Sequence, residues 1–154
     1  METIVGSAFE DKASYKKGKA GEVNVIDQLV KNGYQLRDFT SYTDHKFKQK
    51  KGYDIELFND KTKEWDRIDI KTNVREGYTY LEVLKHYSGG LGWFYTSSAD
   101  YILTYDIITH KGYMYKLSEM RDYVNERKQD LKLVGRYKDL FGIKITNHLI
   151  KNIF

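Results

Sequence analysis

Polar and apolar residues alternate along two short stretches in the first half of the chain, on either side of a turn-forming segment. The first stretch spans residues 53–58 (YDIELF), the second spans residues 65–71 (WDRIDIK), and NDKTKE lies between them. Alternation with a period of two is typical of strands with one buried face, so the pattern predicts a β-hairpin. A four-residue loop over residues 60–63 would pair Asn59 with Glu64 and Ile55 with Ile68.

This register separates charged from aliphatic side chains. One face would carry Asp54, Glu56, Arg67, Asp69 and Lys71, and the other Ile55, Leu57, Ile68 and Ile70. Asp54 and Asp69 would then oppose each other, although opposed like charges destabilise a sheet. A divalent cation would relieve the repulsion, since Mg²⁺ prefers oxygen ligands and commonly uses one or two carboxylates. The alternative is a solvated hairpin face held by a cross-strand pair between Glu56 and Arg67.

The remaining patterns predict an α/β fold in which helices flank a mixed central sheet, with residues 1–154 forming a single domain. A helix over residues 16–31 should end at Asn32 and Gly33. Further strands are predicted at residues 34–41, 78–85, 100–108, 113–117 and 131–134. We expect the strand over 78–85 to be central, because it is apolar on both faces except at Glu82. Ser118 should cap a second helix, and a short final helix should include Ile153 and Phe154.

The first predicted helix carries a carboxylate within its apolar side. At about 100° per residue, a single arc contains Ala20, Val23, Ile26, Leu29 and Val30. Glu22 falls inside this arc, and burying an unpaired charge there would be costly. Glu22 therefore needs a metal or a lysine as partner, unless it is a surface glutamate. Asp27 lies near the same arc, so the argument is not unique to Glu22.

Charge and composition favour a polyanionic partner and an intracellular location. The 154 residues carry a formal net charge of +4 and contain no cysteine, which suits a reducing cytoplasm. No apolar run approaches the length of a membrane span. One lysine cluster precedes the predicted hairpin and another lies at the start of the predicted helix, and the candidates for phosphate contacts are Lys17, Lys19, Lys46, Lys48, Lys50 and Lys51. A lysine-rich loop that only keeps the chain soluble is the alternative.

Asp54 followed by Asp69-Ile70-Lys71 resembles the signature of the PD-(D/E)xK nucleases, with Tyr53 in place of the usual proline. A second set of residues resembles the opening of archaeal Holliday-junction resolvases in that superfamily, namely Lys17-Gly18, Glu22, Leu29, Gly33-Tyr34 and Arg37. The resemblance implies a restriction-endonuclease-like core in which Asp54, Asp69 and Glu22 hold Mg²⁺, with Mn²⁺ as a substitute. It also implies that Lys71 assists the attack of water on a phosphodiester, and Ser41 loosely matches a serine that takes part.

These residues lead to three hypotheses, the last of which is a partner-binding protein that uses a tyrosine-rich surface and has no salt-dependent affinity for DNA. The first is a Mg²⁺-dependent deoxyribonuclease, an endonuclease that hydrolyses DNA phosphodiester bonds and selects branched structures in recombination or repair. A junction-resolving enzyme of this kind would be a homodimer, because two symmetric cuts need two sites. The second is a catalytically inactive nucleic-acid-binding protein on a nuclease-like scaffold. Metal dependence separates the first two, since only the enzyme should lose its function with Asp69.

Overall fold

The computed structural model describes residues 12–37, 52–73, 78–85, 90–130, 132–134, 140–146 and 151–154. The helices are α1 (Lys12–Lys31), α2 (Trp93–Thr96) and α3 (Leu117–Asn125), and a 3₁₀ turn follows at Lys128–Asp130. The strands are β1 (Leu36–Arg37), β2 (Ile55–Asn59), β3 (Glu64–Asn73), β4 (Tyr78–Lys85), β5 (Tyr101–Asp106), β6 (Lys111–Lys116), β7 (Lys132–Val134), β8 (Leu140–Thr146) and β9 (Lys151–Asn152).

Six of the strands form one mixed sheet, which confirms the predicted fold class. Its order is β1-β2-β3-β5-β6-β9. Strands β3 and β5 run parallel, and the other neighbours are antiparallel. The ten-residue β3 is the longest strand of this sheet and lies between β2 and β5. Residues on β3 can therefore meet side chains from both halves of the sheet.

The hairpin of β2 and β3 has the predicted register. Ile55 pairs with Ile68, and Asn59 pairs with Glu64 across the four-residue loop. The Asn59 side chain accepts hydrogen bonds from the backbone N–H groups of Lys61 and Thr62, at 3.0 and 3.3 Å. A short polar side chain that binds the following backbone in this way stabilises a tight turn. Local turn chemistry and alternation thus fix the register together.

Helix α1 packs on one face of this sheet through a different stripe from the predicted one. Val25 and Leu29 are fully buried with Ile68 and Ile70, but Val23 and Val30 are 46% and 59% exposed. A Cβ atom at Gly21 would lie 2.1 Å from Oγ1 of Thr72 on β3. Gly21 is thus a point of close approach between α1 and β3, and Val25 and Leu29, four and eight positions later, lie on the same side of the helix.

The opposite face of the sheet is covered by α2, α3 and β4. Ile102 and Tyr115 of the six-stranded sheet pack there with Leu81, Val83 and Phe94, which are also buried. Strand β4 has the predicted bounds, but it is an edge strand of a separate three-stranded antiparallel sheet with order β4-β8-β7. The prediction that it is central to the main sheet is therefore wrong. Its apolar pattern comes from packing against the main sheet from outside.

Three other predictions need correction. Lys116, with an extended backbone, occupies the N-cap of α3, and Ser118 lies inside the first turn. The described part of the C-terminus begins with a short strand. Ile153 and Phe154 pack on the α1 face of the sheet and do not form the predicted helix. Strand β1 has only two described residues, and residues 38–41 lie outside the described part. Within the described residues, none of the helices combines the length and apolar composition that crossing a bilayer requires.

Candidate active site

The sheet brings Asp54 and Asp69 together at the end of the hairpin opposite its turn. Asp54 lies in a bend immediately before β2, and its backbone N–H donates to the carbonyl oxygen of Ile68 at 2.9 Å. One oxygen of its carboxyl group accepts the backbone N–H of Ile70 at 2.7 Å. The last paired residues of the two strands on this side are Ile55 and Ile68, so Asp54 and Asp69 lie just beyond the paired register. The bend directs the Asp54 carboxyl group to the Asp69 carboxyl group on β3, and the two groups hydrogen bond.

The environment of this pair shifts the ionisation of Asp54 towards the protonated form. Burial raises the pKa of Asp54 from 3.8 to about 7, and the charge of Asp69 and the hydrogen bond between the carboxyl groups act in the same direction. The backbone N–H of Ile70 and the charge of Lys71 oppose the shift. Two carboxylates so close cannot both ionise easily unless a cation compensates them. With a pKa of about 7, Asp54 is only partly deprotonated at neutral pH when no cation is bound.

Lys71 is the cation nearest to the pair among the described side chains. Its Nζ lies 3.5 Å from Oδ2 of Asp69, and the Lys71 side chain is 33% exposed. The same Nζ lies 4.8 Å from the centroid of the Trp93 ring. An ammonium group over an aromatic face is attracted by the negative face of the ring. Lys71 is thus held between a carboxylate and an aromatic ring, with a route to solvent.

Ser97, at the C-terminal end of α2, contacts the Asp69 carboxylate. Its Oγ lies 3.3 Å from Oδ2 of Asp69 and 3.3 Å from the carbonyl oxygen of Gly52, and it accepts the backbone N–H of Ala99 at 3.2 Å. The hydroxyl has one proton, so it donates to only one of the two oxygen acceptors at a time. Ser97 is itself buried. It therefore restricts the orientation of the Asp69 carboxylate.

Arg121 fixes the position of α2 and therefore the positions of Trp93 and Ser97. The guanidinium group donates to the carbonyl oxygens of Phe94 at 3.0 Å, Tyr95 at 3.2 Å and Ser97 at 3.0 Å. These are carbonyl groups at the end of a helix, which lack partners within the helix. A guanidinium group satisfies several of them at once because its donors form a planar fork. Arg121 on α3 thus helps to hold Trp93 and Ser97 against β3.

Two buried hydroxyl groups lie on the same face as the carboxylates. In the sheet register, Thr104 on β5 pairs with Lys71. Ile102 on β5 pairs with Asp69 on one side and with Tyr115 of β6 on the other. Neither hydroxyl has a hydrogen-bond partner within the described part of the chain. Burial, and then the charge of Asp69, raise the pKa of Tyr115 well above its usual value. Tyr115 therefore stays a neutral phenol beside the carboxylate pair.

The structure does not gather all of the predicted site residues. Glu22 is half-buried on α1, which packs on the other face of the sheet, next to the contact between Gly21 and Thr72. Among the described residues, no group of three or more His, Cys, Asp or Glu side chains could hold a metal ion. Lys17 and Lys19 lie in the first half of α1. The other predicted contacts, Ser41, Lys46, Lys48, Lys50 and Lys51, lie outside the described residues.

The two carboxyl groups fit a hard divalent cation. Mg²⁺ takes oxygen ligands and commonly binds through one or two carboxylates, with waters and substrate phosphates in its other positions. Asp54, just before β2, and Asp69 on β3 supply oxygen ligands, and burial together with the charge of Asp69 raises the pKa of Asp54 although Lys71 lies nearby. A cation between them would remove that repulsion. This donor set is compatible with Mg²⁺ or Mn²⁺.

Two side chains that matter here were not identified as site residues from the sequence. Ser97 reaches Asp69, and Trp93 reaches Lys71, only because α2 folds against β3, and Ser97 is 28 residues from Asp69 in the chain. No spacing rule connects such distant segments. The glycines before Trp93 are one usable signal, because a Cβ atom at Gly92 would lie 2.3 Å from the carbonyl oxygen of Glu82 on β4. A glycine at such a close approach marks where a segment packs tightly.

Comparison with known proteins identifies no family for this chain. No protein-family model and no curated protein matches the sequence. Among solved structures, the chain is similar to a bacterial homing endonuclease, I-Ssp6803I, with 12% sequence identity and a TM-score of 0.46. The match covers 71% of this chain and 73% of that chain. A likeness at this level assigns no role to any residue.

Proposed function

We propose that this chain is a metal-dependent endonuclease that hydrolyses DNA phosphodiester bonds, with Mg²⁺ as its cofactor and Mn²⁺ as a substitute. The observation that supports the proposal is the pair of half-buried Asp54 and buried Asp69, whose carboxyl groups share one face with Lys71. Such a pair costs stability, because like charges are held together away from water. A role in binding a cation accounts for that cost.

Each residue has a distinct role in this proposal. Asp54 and Asp69 hold the cation, which when bound would polarise a phosphoryl oxygen and neutralise developing charge. Lys71 orients the attacking water and stabilises the negative charge that develops on the phosphate oxygens. Its ammonium group keeps its position through Asp69 and Trp93. Ser97 holds the Asp69 carboxylate in place.

The finer assignment follows from the resemblance of Asp54 and Asp69-Ile70-Lys71 to the PD-(D/E)xK nucleases. It adds Glu22 as a third metal ligand and selective cleavage of branched DNA by a homodimer in recombination or repair. Glu22→Gln tests the first addition, because a ligand should lose activity and metal affinity together. A panel of substrates that includes a four-way junction tests the second.

The decisive experiment compares cleavage by the wild type and Asp69→Ala. Labelled linear duplex, single strand, flap and four-way junction are incubated with Mg²⁺, with Mn²⁺ and with chelator. We expect metal-dependent cutting by the wild type and a loss of about a thousandfold or more in the variant. Asp122→Ala is the matched control, because Asp122 is an exposed aspartate on α3. Tight DNA binding without cutting under any metal would contradict the proposal and favour the inactive nucleic-acid-binding protein.

A further inference from the structure

A basic cavity of about 370 Å³ adjoins the carboxylate pair. Its wall includes Arg67, Ser97, Asp100, Lys116, Ser118 and Arg121. Three of these side chains are cations and one is a carboxylate, which leaves a surplus of two positive charges. The hydroxyl group of Ser118 adds a neutral hydrogen-bond donor, whereas the Ser97 proton is directed to Asp69 or to the Gly52 carbonyl oxygen. Cations beside a hydroxyl donor form a surface that suits a phosphate group.

The one acidic residue in the wall is already occupied by an arginine. Asp100 accepts the backbone N–H of Arg67 at 2.8 Å, and its carboxylate lies 3.2 Å from Nη2 of the Arg67 guanidinium group. Although burial alone would raise the pKa of Asp100, these hydrogen bonds lower it below its usual value, and Lys116 contributes. Asp100 therefore remains an anion that holds Arg67 in place at the cavity wall.

Lys116 supplies the cation that is most available to a ligand. Its side chain is exposed, and among the described residues it makes neither an ion pair nor a side-chain hydrogen bond. Arg121 in contrast uses its donors on three backbone carbonyl groups. The charge of Lys116 acts on Asp100, but its ammonium group can turn towards a bound anion without breaking a hydrogen bond or an ion pair within the described residues.

The position of the cavity relates it to the carboxylates. Arg67 and Asp69 are two residues apart on β3 and share one face, so their Cα atoms are about 6.6 Å apart. Ser97 connects the two places directly, because it lines the cavity while its Oγ lies 3.3 Å from Oδ2 of Asp69. The separation is comparable with that of neighbouring phosphates along one nucleic acid strand. A strand with one phosphate at the carboxylates can therefore place an adjacent phosphate in the cavity.

We propose that this cavity, with Lys116 and Arg67 as its cations, binds a backbone phosphate that neighbours the phosphate at the carboxylate pair. The proposal deepens the endonuclease assignment and rests on it for the identity of the strand. The cavity would set the register of the strand, because occupying it fixes which phosphate faces Asp54 and Asp69. Contacts of this kind position a nucleic acid without reading its sequence.

Binding in chelator tests the proposal without requiring cleavage. A short labelled duplex is titrated with the wild type, Lys116→Gln and the control Lys128→Gln, which removes an exposed lysine from the 3₁₀ turn. We expect Lys116→Gln to weaken binding about threefold to tenfold at low salt and to reduce the salt slope by about 1. Lys128→Gln should bind like the wild type. Equal binding by all three proteins would overturn the proposal.

Neutral substitution of single phosphates locates the contact. A methylphosphonate is placed at each position next to the cleaved bond, or at each position of the duplex when no bond is cut. One position should weaken binding by the wild type and have no further effect on Lys116→Gln, because the charge pair is already lost. Cleavage that persists while both tests fail would refute only the cavity proposal. Loss of binding in Lys116→Gln without any cleavage would refute only the nuclease.

Discussion

The two faces of β3 differ in chemistry although both are buried at the same point of the strand. On the α1 face, Ile68 and Ile70 pack with Leu103 and Leu29 in an apolar cluster. On the other face Asp69 is 9% exposed, yet it lies beside a second carboxyl group. Burial of aliphatic side chains stabilises the fold, whereas burial of a carboxylate pair opposes it. One strand thus supplies a core on one side and a strained polar site on the other.

This difference separates residues that maintain the fold from residues that carry out the proposed chemistry. The α1 face needs only hydrocarbon of the right volume. The opposite face needs particular groups at particular positions, including Asp54, Asp69 and Lys71. Substitutions on the two faces should therefore change different measured quantities, even where the residues are adjacent in sequence.

Ile70→Ala should give the largest change in stability. Ile70 is 6% exposed and packs in the α1 cluster, so its truncation should lower the free energy of unfolding by about 2–5 kcal/mol. The backbone N–H that binds Asp54 is unchanged, so cleavage per folded molecule should stay close to that of the wild type. Urea unfolding and cleavage at low temperature measure the two effects. Asp69→Asn is the matched neighbour, and we expect it to remove cleavage without lowering stability.

The contrast between the two faces would be wrong if folded Ile70→Ala lost as much cleavage activity per molecule as Asp69→Asn. In that case the two faces would be coupled through β3. Circular dichroism of both variants at the temperature of the cleavage assay verifies that each is folded. A smaller folded fraction would by itself lower the total activity. The comparison therefore uses the activity per folded molecule.

Asp54→Asn should raise stability at high pH in the absence of metal. The pKa of Asp54 is about 7 in the folded state and 3.8 as the reference, so the folded state retains a proton that the unfolded state loses between these values. Wild-type stability should therefore fall as pH rises from about 4 to about 7. Asparagine carries no charge and its oxygen can still accept the Ile70 N–H, so the variant should be more stable by roughly 1–3 kcal/mol at pH about 8.

Urea unfolding in chelator at several pH values measures this difference, which should vanish as the pH falls below about 4, where Asp54 is protonated in the folded and the unfolded state. Added Mg²⁺ should stabilise the wild type more as pH rises, because protons compete with the metal for the carboxylates. The variant should respond to Mg²⁺ weakly at every pH. If the two proteins differed in stability by the same amount at every pH, ionisation of Asp54 would not be the cause of the difference.

The hairpin could be predicted from the sequence because its determinants are local. Alternation fixes which residues share a face, and Asn59 with the loop fixes where the strands turn. Asp54 and Asp69 were placed together by the same register. The bend that turns the Asp54 carboxyl group towards the Ile70 N–H was not predicted, because it depends on where the ladder ends.

Residues whose position depends on packing between distant segments could not be predicted in the same way. The wheel for α1 favoured Val23 and Val30, but the contact at Gly21 decides which stripe is buried. The apolar pattern of β4 indicated burial without indicating which sheet the strand joins. Glu56 and Arg67 pair in register, but their ion pairs are with Arg37 at 2.8 Å and Asp100 at 3.2 Å. Charge partners depend on neighbouring segments as much as on register.

Trp93→Leu should give the smallest of these effects and tests whether an apolar residue contributes to the polar face. The Lys71 Nζ lies 4.8 Å from the ring centroid, and such a contact is worth about 0.5–1 kcal/mol at an exposed site. Leucine keeps the apolar packing but lacks the aromatic face, so cleavage should fall about twofold to fivefold, in kcat rather than KM. Trp93→Phe should retain part of the activity. In a Lys71→Met background the Trp93 substitution should have no further effect, since the ammonium group is gone. An equal loss with and without Lys71 would mean that Trp93 acts through packing of α2 and that the two faces of β3 differ less than their chemistry suggests.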